Sequence, residues 1–184
     1  MNEGKRFERS WRESVPRGSV YYFRVKDPPP SFPQGAPAVR FTPKNPFDLF
    51  LFWDRCLFPM ELKTTAGKSF SMQRGQQDKG KQIQLGQMEG LAGASLHGGV
   101  YACFILDFRG SQNTYAWGIH DFQAFFAGGG KKSANEGDVA AYGGILVPKR
   151  LKRAHYAYDI LGLLKMIRER GVGRGDDGHD QAAR

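Results

Sequence analysis

The stretch from Asp48 to Lys63 constrains this chain more than any other. Two apolar runs, 49–53 and 56–60, flank the polar pair Asp54 and Arg55. Their alternation at period two predicts two antiparallel strands joined by a tight turn. Centring the turn between Asp54 and Arg55 sets Trp53 opposite Cys56 and, counting outward, Asp48 opposite Glu61. Directly opposed residues share a face, with Cβ atoms roughly 5 Å apart. Lys63, two residues beyond Glu61, points the same way, and Leu62 points the other. Phe47, Phe50, Phe52, Trp53, Phe58 and Leu62 make both faces of the hairpin apolar, a pattern of buried strands. Two carboxylates and a lysine on one buried face need a partner for their charge, and a divalent cation with oxygen ligands supplies it. The alternative is an open, solvated face with Lys63 as a surface ion pair.

With 184 residues the chain is long enough for one domain with a proper core. Its 27 Lys and Arg against 18 Asp and Glu give a net charge of +9, which favours a polyanionic partner, nucleic acid being the commonest. Cys56 and Cys103 both lie in apolar runs and fit buried free thiols in a reducing compartment. No cysteine–histidine spacing suits zinc, the amino-terminus does not read as a signal peptide, and no apolar run spans a bilayer. A cytoplasmic location is expected, nucleoid-associated or, for a viral protein, in the host cytoplasm.

Residues 2–15 read as a helix capped by Asn2, with Phe7, Trp11 and Val15 on one stripe. Glu8, at the edge of that stripe, either pairs with Arg12 one turn on or leans toward the metal as a third carboxylate. Residues 20–25 form a strand. Seven of the ten prolines then fall between Pro28 and Pro46, so 27–46 is a long proline-rich loop. Arg40 and Lys44 in that loop are placed to touch phosphate. Residues 64–81 read as a mobile basic loop carrying Lys68, Arg74, Lys79 and Lys81. Residues 82–97 form a helix in which Gly86, Gly90 and Gly93 permit close packing on a sheet. Gln87 in that helix reads by composition as solvated.

Residues 100–108 are the most hydrophobic strand and so the central one. A strand over 114–119, a short helix from His120 to Phe126, a loop over 128–138 and an edge strand over 145–148 follow. Lys149, Arg150, Lys152 and Arg153 form a basic run, a solvated face able to contact phosphate. An amphipathic helix covers 157–170, and 171–184 reads as a disordered tail. This order predicts an α/β fold: one domain over 1–170, a mixed sheet with helices on its faces.

Asp48, then Glu61, Leu62 and Lys63, then Gln87 on a following helix, resembles the PD-(D/E)xK nuclease superfamily. More closely, the chain resembles the RecU family of Holliday junction resolvases. Phe7 and Glu8 resemble that family's opening acidic helix, and the segment from Met60 to Thr64 resembles its E-A-K-T segment. The segments 70–73, 87–91 and 99–105 resemble its later blocks in the same order, so the likeness covers about 4–167. Gly86 stands where the family often has a histidine, and the proline-rich 27–46 stands in place of its projecting stalk.

The resemblance implies a restriction-endonuclease-like mixed β-sheet flanked by helices and a metal-dependent endonuclease acting on four-way DNA junctions in recombination or repair. It implies Mg²⁺ (or Mn²⁺) held by Asp48, Glu61 and the main-chain carbonyl of Leu62. Lys63 would orient the attacking water, Gln87 would hold that water or a metal ligand, and Glu8 would be a further acid. The partner would be branched DNA, positioned by dispersed basic loops. Two cuts in a two-fold symmetric substrate imply a homodimer. The apolar residues of the first helix and of the 114–119 strand are candidates for its surface. Another nuclease of the superfamily, restriction-like or for repair, stays open, as does a non-catalytic nucleic-acid-binding protein.

Overall fold

The computed structural model describes residues 2–25, 45–128, 130–153 and 155–173. In chain order the elements are α1 (Glu3–Ser14), β1 (Tyr21–Arg24), β2 (Leu49–Trp53), β3 (Cys56–Thr65), β4 (Ser69–Ser71) and α2 (Leu85–Ser95). Next come β5 (Cys103–Phe108), β6 (Asn113–Gly118), α3 (Ile119–Gly128), β7 (Ser133–Asn135) and α4 (Glu136–Ala141). The chain closes with β8 (Ile145–Leu146), β9 (Lys149–Lys152), β10 (His155–Tyr158) and α5 (Ile160–Arg170). The fold is mixed α/β.

Its centre is a six-stranded mixed sheet of order β1-β2-β3-β5-β6-β8. β3 pairs in parallel with β5, and the other neighbours are antiparallel. Every residue of β5 is buried, as its apolar run, interrupted only by Asp107, requires of a central strand. The hairpin has the expected register, with Trp53 opposite Cys56 and Leu49 opposite Met60. Asp54 and Arg55 take φ of +47° and +63°, the pair of left-handed residues that a two-residue hairpin turn of matching twist demands. Arg168 of α5 pairs with the Asp54 carboxylate and lies over the Trp53 ring, which ties the turn down.

One face of the sheet packs on α1 and α5 through Trp11, Leu51, Phe58, Met60, Ile105, Leu163 and Leu164. The other packs on α2 and α3 through Phe104, Leu106, Met88, Leu91 and Phe122. In α1, Asn2 caps the helix by accepting from the Gly4 amide at 2.9 Å, as expected. Phe7 and Trp11 pack on Tyr158 of β10, with ring centroids 5.9 and 5.1 Å away. Trp117 of β6 is wholly buried. The apolar residues of α1 and β6 are thus consumed by the chain's own core, which removes them as a dimer surface.

Three segments expected to be irregular carry pairing. Residues 64–81 contain the end of β3 and β4, and β4 pairs with β7 from the expected 128–138 loop. The basic run forms β9, which pairs with β10. The last helix consequently begins at Ile160 rather than Ala157. Arg40 and Lys44, with most of the 27–46 segment, lie outside the described residues, as does the expected tail beyond Gly173. Cys56 and Cys103 are buried free thiols, and burial pushes the Cys103 thiol up to about 12.

Candidate active site

Asp48 immediately precedes β2, so extending the hairpin register by one pair sets it opposite Glu61. Its Oδ2 accepts a hydrogen bond from the Leu62 amide at 2.8 Å, and its carbonyl accepts from the Val25 amide at 2.9 Å. Gly90 of α2 also serves its placement, because a Cβ there would collide with the backbone of Pro46. The other two helix glycines do not pack in this way: a Cβ at Gly86 or Gly93 would meet open space.

Glu61 and Lys63 project from β3 toward the α2 side. Glu61 is 2% exposed. Lys63 Nζ lies 2.9 Å from its Oε1, and Gln87 Nε2 donates to the same oxygen. Gln87 Oε1 accepts from the Gln84 amide at 3.0 Å at the start of α2. That bond consumes one end of the amide on the helix terminus and aims the other at Glu61. Gln87 is therefore no solvated helix residue. The Gln84-x-x-Gln87 spacing, a relative of the capping box, was the local signal for it.

Burial raises the Glu61 carboxyl from its ordinary 4.5 to about 7, and the Asp48 charge adds to the rise against the opposing pull of Lys63. Asp48, Glu61 and Gln87 open onto a cleft of about 760 Å³, whose walls also include Arg24, Gln73, Lys79, Gln84 and Gly86. Arg24 and Gln73 were not singled out by sequence. Arg24 ends β1 opposite Leu49, one residue from Asp48. Gln73 Oε1 accepts from the Leu85 amide at 3.2 Å and steadies the start of α2.

Glu8 pairs with Arg24 at 2.8 Å. Arg24 lines the cleft, so Glu8 meets the cleft wall through that cation.

Of the described basic residues expected on DNA, Lys79 lines this cleft. Lys81 pairs with Asp78 at 3.3 Å. Arg74 donates to the Lys131 carbonyl at 2.9 and 2.6 Å and lies 4.4 Å from the centre of the Phe126 ring, so it staples two loops. Lys68 is exposed beside Gly110 and Asn135, away from the cleft. Arg150, Lys152 and Arg153 are exposed on the β9–β10 hairpin, which packs on the α1 side of the sheet. Lys149 is no solvated contact. Its side chain is 9% exposed, donates to Thr114 Oγ1 at 2.7 Å and pairs with the buried Asp107 at 3.6 Å. Desolvation lowers its pKa despite Asp107.

Two opposed carboxylates, one a buried acid raised by desolvation and by its neighbour's charge, form a hard oxygen donor set whose repulsion a small divalent cation relieves. Among the described residues no group of three or more His, Cys, Asp or Glu side chains gathers. One or two carboxylates suit Mg²⁺, which keeps several waters. The Leu62 amide faces Asp48, and in an extended strand a residue's N–H and C=O project to the same side, so the Leu62 carbonyl shares that edge.

No protein-family model matches the chain. Over 125 residues it is 34% identical to the SPbeta prophage-derived uncharacterized protein YotM of Bacillus subtilis (strain 168). The match covers 67% of this chain and 60% of that protein's length.

Proposed function

We propose that the chain is a metal-dependent endonuclease of the PD-(D/E)xK type that cleaves four-way DNA junctions. The convergence of Asp48, Glu61 and Gln87 on one cleft, with Lys63 held against Glu61, carries this reading. Three of the four meet at a single oxygen, Glu61 Oε1. The restriction-endonuclease-like character of the sheet and the RecU likeness belong to the same proposal. The curated relative is named as prophage-derived, which suits an enzyme of recombination.

Asp48, Glu61 and the Leu62 carbonyl would hold Mg²⁺ or Mn²⁺. When bound, the metal supplies charge neutralisation at the scissile phosphate and acidifies water. Glu61 would hold the cation as its carboxylate, the form the metal's charge favours. Lys63, on the carboxylate face, orients the attacking water and contacts the phosphate. Gln87 is a positioning residue: its amide, fixed by Gln84, holds Glu61 in one rotamer. Arg24 and Lys79 supply positive charge at the cleft walls for the DNA backbone, without reading sequence.

Resolution needs paired cuts, so the working form is a homodimer with two identical sites. No described helix is long and apolar enough to cross a membrane, and the enzyme would act in the cytoplasm, where branched DNA forms. The test is purified protein with Mg²⁺ on four-way junctions, linear duplex, flaps and single strands. Cleavage of junctions and its loss with chelator support the proposal. Equal cutting of all substrates favours another nuclease of the superfamily. Tight binding without cutting assigns a non-catalytic nucleic-acid-binding protein.

A further inference from the structure

The hairpin sequence predicts burial on both faces, yet among the described residues no helix covers the end of the sheet beyond β3 on the α2 side. The alternation that places Leu49 and Leu51 in the α1 core turns Phe50 and Phe52 to the opposite face, together with Asp48. β1 adds its own rings to that face, because Tyr21 pairs with Phe52 and Phe23 with Phe50. Helices α2 and α3 pack on the strands from β3 onward and leave these rings uncovered. Tyr21, Phe23 and Phe52 are 59%, 44% and 46% exposed. Phe23 and Phe50 lie nearly parallel, 25° apart with centroids at 5.1 Å, and Tyr21 lies 6.4 Å from Phe50.

We infer that this aromatic face is a stacking platform for unpaired bases of the DNA strand entering the Asp48–Glu61 cleft. The inference deepens the nuclease reading and rests on it for its geometry. Three observations favour a nucleic-acid strand over another occupant. The platform is continuous with the cleft: Phe50 follows Asp48 on the same face of the same strand, about 7 Å along. Its chemistry is aromatic rather than aliphatic, and aromatic rings on strands stack bases of any sequence. The cleft it adjoins carries the Lys79 cation on its wall, with Arg24, which pairs with Glu8, at its edge. The substrate class it selects is DNA with unpaired nucleotides beside the scissile phosphate, as at a branch point.

The test is binding without metal, so that no cleavage intervenes. The probes are a single-stranded oligonucleotide carrying 2-aminopurine and a fully paired duplex of the same length. Wild-type protein should quench the 2-aminopurine fluorescence. Phe23→Leu and Phe52→Leu, which keep apolar bulk without a ring, should each abolish the quenching and weaken single-strand affinity roughly tenfold, with duplex affinity unchanged. Leucine variants that quench and bind like wild type overturn the inference, as does a wild type that never quenches; the face then belongs to another segment of the chain or to a second copy. Sedimentation of the same variants identifies the second copy if they fall apart where wild type associates. Quenching with no cleavage on any substrate leaves the platform standing and sinks the nuclease reading. Cleavage with unaltered leucine variants does the reverse.

Discussion

Replacing Glu61 by glutamine should stabilise the metal-free protein while destroying its activity. In the folded chain the carboxyl is raised to about 7 from 4.5 by burial and by Asp48. The folded state therefore holds the proton more tightly than the unfolded state. The stability this contributes is fully present below pH 4.5 and is lost as pH rises through 7. Each pH unit of the gap is worth about 1.4 kcal/mol, so wild type should lose about 3 kcal/mol over that window. Glutamine does not titrate, yet its carbonyl can still accept from Lys63 and Gln87. The difference between variant and wild type isolates Glu61 together with its coupling to Asp48, because titrations remote from the site are common to both.

Thermal or urea unfolding in chelator from pH 4 to 8 reads it directly. The curves should converge near pH 4 and separate in favour of Glu61→Gln by about 3 kcal/mol at pH 8, roughly 6–12 °C in Tm for a chain of this size. Added Mg²⁺ should raise the wild-type Tm at pH 8, less at pH 6 where the proton competes, and should leave the variant unmoved. Parallel stability curves across pH 4.5 to 7.5 would refute the account of Glu61 as a buried, cation-seeking acid.

Asp48→Asn should lower junction cleavage by roughly a hundredfold or more while leaving junction affinity near wild type, since phosphate affinity comes from dispersed cations; near-normal cutting in Mg²⁺ would remove Asp48 from the site. Lys63→Ala should cost single-turnover rate at saturating DNA far more than affinity, and Gln87→Ala should cost less, with Gln87→Glu failing to rescue it because a second carboxylate cannot donate to Glu61. Mixing wild-type with Asp48→Asn subunits should accumulate junctions nicked in one strand, whereas a protein that sediments as a monomer with and without junction DNA would rule out the dimer. Lys149→Ala should destabilise the fold by roughly 2–4 kcal/mol by leaving Asp107 without its cation, with DNA affinity unchanged in filter binding; a selective loss of DNA affinity would return Lys149 to the surface.

The hairpin and the opposition of Asp48 to Glu61 were legible in the sequence because register is a local property. A two-residue turn and a strict period of two fix every pair outward from Asp54 and Arg55, and a slip by one residue would turn Leu49 and Leu51 out of the core. The first helix, the central strand and the two buried thiols were legible for a similar reason, since each is marked by its own composition and spacing.

What Gln87, Lys149 and the hairpin's second face do was decided only by tertiary structure. By composition Gln87 looks like any polar helix residue, and only the resemblance set it beside the acids; its bond to Glu61 waits on the β3–β5 connection that lays α2 over that residue. Lys149 looks solvated within a run of cations until β9 closes against β10 and brings it onto Asp107. Phe50 and Phe52 carry the same alternation as buried strand residues, but burial depends on whether a second layer covers them. Helices α2 and α3 cover β3 and the strands beyond it and stop short of β1 and β2. Local sequence sets which way a side chain points, and the packing of distant elements sets what it meets there.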